Sequence, residues 1–406
     1  MLDRMLAALC LITLFVPASA VAAGQNAAGS GHYLFVWTGD QAKQGNDFLS
    51  VIDANPGSPR YGKLVTTVAT DIKSVRIHHT EYEMPASGML FANDHDAGRT
   101  VVLDVRDPLH PRVAAEFGDL GGFSRPHSFL RLPNGHVLAS FQHASGAMDH
   151  GAMKMGGGLV EIDDAGKLVR ARGNVDPAFP DALMMPYSLA VLPGIDRVLS
   201  TNSSMHDEDI GGTTIQLWRL SDLTLLKTAY LDVGRERYAH LNPEEVRVGP
   251  DGAAYVQTLA CGIERVTGMA NDQLNSQLVH VFPGNYCGVP TIVGHYLVQS
   301  VEAVNGYVVI DIADGAHPRE VSRLSMAKSF RPHWTGWDAQ TGRIVVTATE
   351  PGDRTYLLKF DEQTGALAID TAFRGDDGEV GFSFAKRRWP HGWTGEAKPH
   401  GAVFSR

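Results

Sequence analysis

Residues 78–118 contain four short runs of apolar and β-branched residues, "HHTEYEM" (78–84), "GMLFAND" (88–94), "RTVVLDV" (99–105) and "RVAAEFG" (112–118). Turn-forming Gly, Pro and Asp residues separate the runs. Runs of this length between turn residues are typical of consecutive β-strands in an antiparallel sheet. The stretch therefore predicts a compact four-stranded unit.

The same four-run unit recurs along the chain. Further sets begin with "HSFLRLP" (127–133), "YSLAVLP" (187–193), "EEVRVGP" (244–250), "CGVPTIV" (287–293) and "HWTGWDA" (333–339). No long stretch shows the periodicity of a helix. Repetition of one supersecondary unit at such a spacing indicates a repeat architecture in which each unit packs on its neighbours.

A seventh unit requires both ends of the chain. Three runs lie near the N-terminus, "HYLFVWT" (32–38), "FLSVIDA" (48–54) and "KLVTTVA" (63–69), and the fourth is "HGAVFSR" (400–406). A blade built from both termini closes a ring and removes exposed sheet edges. The sequence thus predicts an all-β seven-bladed β-propeller over residues 31–406. A β-sandwich or two smaller β-domains would be the structural alternative.

The first residues are typical of an export signal. Arg4 precedes an apolar stretch, residues 6–16, and the small residues of "ASA" (18–20) follow it. This three-part pattern predicts a secretory signal peptide over residues 1–23, too short in its apolar part to span a bilayer stably. We expect the mature protein to be periplasmic.

Composition narrows the classes of partner. The 406 residues are 44% hydrophobic and 20% charged, with a formal net charge of −10. This balance argues against nucleic acid and anionic membrane surfaces as partners. The mature chain keeps two cysteines, Cys261 and Cys287. In an oxidising compartment they form either a disulfide or two buried thiols, and the sequence leaves both possibilities open.

In a propeller the first strand of each blade lines the central channel, so the heads of these strands meet at one mouth. These heads carry His78 and His79, His127, Tyr187, Glu244 and Glu245, Cys287, His333, and His400. The blades with histidines are consecutive in ring order. We therefore expect the histidines to cluster on one arc of the channel.

Neutral imidazole is a good ligand for copper, zinc and iron. Several imidazoles with no thiolate nearby suit copper or zinc. We interpret His78, His79, His127 and His400 as metal ligands and His333 as a further candidate. The alternative is that each strand-head histidine caps a turn or binds backbone.

Two other features bear on chemistry. Glu244 and Glu245 face the histidine arc across the ring, where a carboxylate would accept a proton from a substrate; alternatively, one faces outward and the other pairs with Arg247. The loop "HASGAMDHGAMKMGGG" (143–158) interleaves histidines and methionines, as copper-handling segments do. Its alternative is a Gly-rich surface loop.

These residues resemble a known family. "DFLSVIDANPGSPRYGKLV" (47–65), followed by "HHT" (78–80), is similar to the opening of the selenium-binding protein family, which includes methanethiol oxidase. "TVVLDVRDPLHPRVAAEF" (100–117) and "GYVVIDIADGAHPREVSRL" (306–324) follow in matching order. The resemblance implies a seven-bladed propeller, in agreement with the repeat count.

The resemblance also implies an activity. Methanethiol oxidases are copper enzymes that oxidise methanethiol with dioxygen to formaldehyde, hydrogen sulfide and hydrogen peroxide, and their metal-binding histidines match His78, His79, His127 and His400. The family's cysteine after the His-His pair is missing from residues 81–94, which argues against selenium binding, and Gly401 stands where the family has Glu. His333 matches no family residue.

We therefore expect a copper-dependent oxidoreductase that acts on a small thiol and dioxygen. Two other functions stay open. One is a periplasmic copper-binding or storage propeller without enzymatic activity. The other is a propeller scaffold that binds a partner protein.

Overall fold

The computed structural model describes residues 31–146, 156–205, 211–236, 238–349 and 354–406. The predicted signal peptide lies outside these residues. Residues 32–406 form one unit. Helix in the described residues is confined to three 3-10 turns, at Pro193–Ile195, Met269–Asn271 and Glu302–Val304. None of these helices is long and apolar enough to cross a membrane.

The strands of the described residues form seven antiparallel blades. Blade 1 begins with β1 (Tyr33–Asp40), β2 (Asn46–Asp53) and β3 (Leu64–Lys73). Blade 2 contains β4 (Ile77–Thr80), β5 (Met89–Asp94), β6 (Arg99–Asp104) and β7 (Arg112–Phe117). Blade 3 contains β8 (Phe123–Arg131), β9 (Val137–Ala144), β10 (Gly158–Ile162) and β11 (Leu168–Gly173). Blade 4 contains β12 (Pro186–Leu192), β13 (Arg197–Asn202), β14 (Thr214–Arg219) and β15 (Leu225–Tyr230).

The remaining blades follow the same order. Blade 5 contains β16 (Pro243–Val248), β17 (Ala254–Thr258), β18 (Gly262–Thr267) and β19 (Asn275–Val281). Blade 6 contains β20 (Thr291–Val293), β21 (Tyr296–Val301), β22 (Gly306–Asp311) and β23 (Arg319–Ser325). Blade 7 contains β24 (Pro332–Asp338), β25 (Arg343–Ala348), β26 (Arg354–Phe360), β27 (Leu367–Ile369) and β28 (Phe382–Ser383). A hairpin, β29 (Arg387–Arg388) and β30 (Thr394–Gly395), precedes β31 (Ala397–Phe404).

The two termini close the ring. Strand β31 is the innermost strand of blade 1 and pairs antiparallel with β1, with Val403 opposite Phe35. Both side chains are buried in one apolar cluster with Trp37 and Leu49. The seven-bladed propeller and its closure by both ends of the chain are confirmed.

Blade 7 carries structure that the repeat did not predict. Strand β27 is short and covers only Leu358 to Phe360 of β26. The other end of β26 pairs instead with β28, at Arg354 and Thr355. Both ends of the outer edge of β26 are thus paired. The pairing protects backbone groups of β26 that another chain's strand could otherwise bind.

A disulfide joins two neighbouring blades. Cys261 lies just before β18 of blade 5, Cys287 lies just before β20 of blade 6, and their sulfur atoms are bonded. Both residues are fully buried in an apolar cluster that includes Ile263 and Val301. Of the two possibilities that the sequence left open, the structure shows the disulfide.

The seven innermost strands are β31, β4, β8, β12, β16, β20 and β24, and neighbours in this series contact each other around the channel. Strand β4 ends at Thr80, earlier than the run "HHTEYEM" predicts. The reason is that the Glu81 carboxylate, rather than a strand carbonyl, accepts the Phe91 N–H at 3.0 Å. The Glu81 N–H still donates to the Phe91 carbonyl at 3.1 Å, so the regular pairing ends with this one-sided backbone contact.

Candidate metal centre

Five histidines from four consecutive blades meet in the channel. The ring centroids of His78 and His79 are 3.9 Å apart, and those of His78 and His127 are 4.4 Å apart. His400 lies 4.6 Å from His78 and 4.7 Å from His333 by the same measure. All five side chains are buried. The clustering predicted from ring order is therefore what the structure shows.

Local irregularities in the ladders aim these side chains. Adjacent residues of a regular strand point to opposite faces, yet the rings of His78 and His79 stack on each other, 16° from parallel. The register between β4 and β5 shifts between Ile77 and Thr80, and the Asn93 side-chain oxygen accepts the His79 N–H at 2.8 Å. An irregularity of this kind re-aims side chains, as bulges near functional sites do.

The other histidine strands have the same feature. The pairing of β8 shifts register between Pro126 and Phe129, on either side of His127. The pairing of β24 shifts between Pro332 and Trp334, on either side of His333. The β31–β1 pairing is irregular opposite His400 as well. Each metal-ligand candidate thus lies where its strand departs from the regular pleat.

The histidines form two overlapping groups of three. In each group, one ligand atom per residue lies within 4.8 Å of the others. One group is His78, His79 and His127, and the other is His78, His333 and His400. Each imidazole has at least one buried nitrogen without a hydrogen-bond partner in the part of the chain that the structure describes. These nitrogens are Nδ1 of His78 and His400, Nε2 of His79 and His127, and both nitrogens of His333.

In His79 and His127, the other ring nitrogen, Nδ1, lies next to hydroxyl groups that orient the ring. His127 Nδ1 and Ser128 Oγ are 2.9 Å apart. His79 Nδ1 lies 3.4 Å from both Tyr82 Oη and Ser128 Oγ. One nitrogen held by a polar partner and the other left open is the usual arrangement of a metal-ligating histidine.

Two curated relatives match part of this sequence. Methanethiol oxidase from Hyphomicrobium sp is 31% identical over 150 residues, and methanethiol oxidase from Ruegeria pomeroyi is 28% identical over 148 residues. Each match covers 35% of this chain and 32% of the relative, about a third of the length of either protein. The chain resembles the methanethiol oxidases. No family model matches it.

The fold comparison agrees with this resemblance. A hypothetical selenium-binding protein from Sulfolobus tokodaii superposes with a TM-score of 0.72 over 93% of this chain and 94% of its own. Its sequence is only 15% identical, so the likeness shows the shared propeller fold. The resemblance to the selenium-binding protein and methanethiol oxidase family, expected from residues 47–80, is confirmed.

Burial keeps the five imidazoles neutral. Desolvation lowers the pKa of His78, His79, His127 and His400 well below the ordinary value, and neighbouring imidazoles lower it further. Desolvation lowers the pKa of His333 to about 4. A neutral imidazole offers a nitrogen lone pair, which a metal ion requires. The cluster thus offers neutral nitrogen donors rather than positive charges to a cation.

Glu245 lies directly beside the histidines. Its Oε1 is 3.8 Å from His79 Nε2 and has no hydrogen-bond partner among the described residues. Its Oε2 accepts hydrogen bonds from Tyr82 Oη at 2.7 Å, Arg247 Nη1 at 2.9 Å and Ser188 Oγ at 3.1 Å. The pairing with Arg247 that the sequence left as an alternative therefore exists, and it leaves one oxygen directed at the site.

Glu244 differs from its neighbour. It is also buried, and its backbone carbonyl accepts a hydrogen bond from Thr201 Oγ1. Burial, together with Glu244 and Glu245, raises the pKa of Tyr187 well above its ordinary value. The Tyr187 ring packs against His127, with centroids 3.6 Å apart. Tyr187 therefore stays a neutral phenol beside His127.

An aromatic layer next to the cluster was not predicted from the sequence. The Tyr82 ring stacks on Trp334 with centroids 5.3 Å apart, and the Arg247 guanidinium lies 3.8 Å from the Tyr82 centroid. Trp334 also meets His79 edge-on at 5.1 Å. Trp334 directly follows His333 on an inner strand, and this adjacency is the signal that could have found it.

His95 was also missed, and it is not available as a ligand. Its ring lies 6.1 Å from His78 and 6.0 Å from His127. Its nitrogens are each 2.9 Å from a side-chain oxygen, of Asp96 and of Gln142. It therefore packs behind the cluster with both ring nitrogens engaged.

A cavity of about 1210 Å³ opens where the inner strands end. Its walls include Tyr82 and Arg247, which hold Glu245, together with residues of β12 and β24 such as Val191 and Trp337. None of the five histidines lines this cavity, and neither does Glu245. Most of the predicted His/Met loop, with Met148, His150, Met153 and Met155, lies outside the described residues.

Proposed function

We propose that this chain is a copper-dependent oxidase of small thiols, with methanethiol as the expected substrate and dioxygen as the oxidant. The observation that carries the proposal is the group of five buried imidazoles with unpartnered nitrogens on one arc of the channel. The similarity to methanethiol oxidases over about a third of their length supports the choice of substrate class.

The donor set fits copper. All the candidate ligands are neutral imidazoles, and both cysteines of the described chain are joined in the disulfide. Imidazole sites suit zinc and copper alike. Zinc has no redox chemistry, however, and the oxidation of a thiol needs a metal that can change its oxidation state. His78, His79 and His127 would hold the ion, and His400 lies in the neighbouring group with His78 and His333. When bound, copper would favour the thiolate form of the substrate and take up electrons from it.

Glu245 is the group placed to accept the thiol proton. Oε1 is its open oxygen, while Tyr82, Ser188 and Arg247 donate to Oε2 and hold the carboxylate in place. A general base needs both a suitable position and a free acceptor atom. Glu245 meets both requirements.

The proposed reaction balances with water as co-reactant: methanethiol, dioxygen and water give formaldehyde, hydrogen sulfide and hydrogen peroxide. The methyl carbon loses two electrons, dioxygen gains two, and the carbon–sulfur bond breaks as a carbon–oxygen bond forms. We further propose that the reaction takes place in the periplasm, as the export pattern of residues 1–23 indicates.

The test combines copper content with oxygen consumption on methanethiol. His127→Ala removes one ligand of the group formed by His78, His79 and His127, so we expect a folded protein that loses the copper held there and thiol oxidation together. Glu245→Gln keeps the shape but not the proton acceptor, and we expect retained copper with turnover reduced roughly 100-fold or more. His110→Ala, at an exposed histidine, is the matched control and should change neither property.

Three outcomes decide the proposal. Copper-loaded protein that consumes oxygen with methanethiol and releases sulfide and peroxide supports it. Copper binding without oxygen consumption contradicts the enzyme and favours the storage alternative. Protein that binds no copper contradicts both and leaves the scaffold alternative.

A further inference from the structure

We infer that the histidine cluster holds two metal ions, one in each group of three, with His78 shared between them. The first group is His78, His79 and His127, and the second is His78, His333 and His400. The inference extends the proposed copper site, but its test reads metal content and does not depend on thiol oxidation.

Distances separate the two groups. Imidazole nitrogens bind such metals at about 2.0–2.1 Å, so two ligands of one ion lie within about 4.2 Å of each other. Within each group, the ligand atoms are within 4.8 Å of one another, close to this limit. Among the described residues, no group of three with ligand atoms within 4.8 Å of one another joins His79 or His127 to His333 or His400. One ion therefore cannot reach all five imidazoles as they stand.

His333 is the residue that a single-ion site leaves unexplained. Both of its nitrogens are buried without a hydrogen-bond partner among the residues that the structure describes. An unsatisfied buried polar group costs on the order of 1–3 kcal/mol, so such an imidazole needs a reason. Its Nδ1 faces Gly288, where an added Cβ would lie only 2.7 Å away. Nε2 is therefore the nitrogen of His333 that would bind the second ion.

His78 is suited to a shared position. It belongs to both groups, and its ring contacts His79, His127 and His400 at 3.9, 4.4 and 4.6 Å between centroids. An imidazole that has lost its ring proton has a lone pair on each nitrogen and can bind one ion through each. The negative charge on that bridging ring would lower the repulsion between the two cations.

The two groups differ in access. His79 and His127 are completely buried, whereas His333 and His400 retain 7% and 6% exposure. The ion bound by the second group would therefore exchange faster with a chelator than the ion bound by the first. Two ions that each change by one electron also match the two electrons that peroxide formation requires.

The experiment is a titration of metal-free, full-length mature protein with copper(II) sulfate, followed by desalting. Copper per chain is measured by elemental analysis, and unpaired spin by electron paramagnetic resonance. For the wild type we expect two copper ions per chain, one for each group, and a spin signal well below the copper content, because a shared imidazole couples the two spins. His110→Ala, at an exposed histidine, should behave as the wild type.

The variants separate the groups. His333→Ala should keep one copper per chain and recover the full spin signal per copper. His127→Ala should keep the other copper, and His78→Ala should lose both. His333→Gln provides a second variant at that position, and thermal unfolding shows whether each variant has folded.

Two results would overturn the inference. In the first, the wild-type protein binds only one copper ion per chain and the His333→Ala variant still binds it. This result would leave the proposed function, which needs one copper ion, intact. In the second, the wild-type protein binds one copper ion per chain, and His333→Ala and His127→Ala each abolish its binding. Residues of both groups would then bind the same ion. Two coppers without thiol oxidation would contradict the proposed function and support the inference.

Discussion

Gly288 is the residue that most closely limits the position of a candidate ligand. A Cβ atom at this position would lie 2.7 Å from His333 Nδ1 and 2.8 Å from Ser300 Oγ. The Gly288 N–H already donates to that Ser300 oxygen at 2.9 Å. The wall of the channel therefore has no room for a methyl group here. Any larger residue has to displace the His333 ring.

We expect Gly288→Ala to lower the free energy of unfolding by about 1–3 kcal/mol, the usual cost of overpacking. Because the methyl group pushes on His333, copper of the second group should be lost while the first group keeps its copper. Urea denaturation and copper analysis measure the two effects. Gly194→Ala is the matched control, since no atom lies within 4 Å of the added Cβ there. A Gly288→Ala protein with wild-type stability and copper content would contradict this account.

Strand β31 has two roles at the level of the element. It fills the inner edge of blade 1 through its pairing with β1, and it brings His400 to the channel. Ala402, Val403 and Phe404 are buried, so the strand contributes apolar packing as well as backbone pairing. The last ten residues of the chain therefore serve both the fold and the site.

Removal of residues 397–406 should lower the free energy of unfolding by at least about 3–6 kcal/mol, because burial of Val403 and Phe404 alone contributes about 1.5–3 kcal/mol each. The exposed edge of β1 should also make the chain aggregate more readily. Urea denaturation and light scattering measure these effects. Deletion of Arg406 alone is the control and should cost no more than about 1 kcal/mol, since that residue is exposed and donates one hydrogen bond, to the Met84 carbonyl. An equal unfolding midpoint for both truncations would show that the ring closes without β31.

At the scale of the whole molecule, the cluster couples stability to pH. The pKa values of His78, His79, His127 and His400 are well below the ordinary value in the folded protein, and that of His333 is about 4. In the unfolded chain each histidine returns to a pKa of about 6.5. The unfolded state therefore binds more protons below that pH, and stability is lost as the pH falls.

For metal-free protein we expect a constant free energy of unfolding above about pH 6.5 and a steep fall between about pH 6.5 and 5. Each buried histidine contributes roughly 1.4 kcal/mol per pH unit to this slope. Urea denaturation at a series of pH values measures it. His333→Ala should reduce the slope by the contribution of one buried histidine. His110 is exposed, so His110→Ala should leave the slope unchanged. Equal slopes for wild type and His333→Ala would show that His333 is protonated in the folded state.

Much of the fold could be predicted from the sequence because a propeller repeats one local pattern. Each blade is a set of short apolar runs between turns, and the split blade follows from counting those runs. The addition of β28 and the hairpin β29–β30 could not be predicted, because residues 370–396 do not follow the repeat. Strand β28 pairs with β26, and the segment that contains the hairpin packs Trp389 against Phe48 of blade 1, so both depend on the assembled blades.

The sequence by itself also determined which histidines share the channel, since ring order depends only on the order of the blades. Only the tertiary structure decided how the histidines sort into two groups, because the register shifts at His78, His127 and His333 set the direction of each ring. Tyr82 could not be foreseen at the site for a related reason. Its hydroxyl donates to Glu245 of blade 5, and a contact between separate blades leaves no mark in the local pattern of apolar runs.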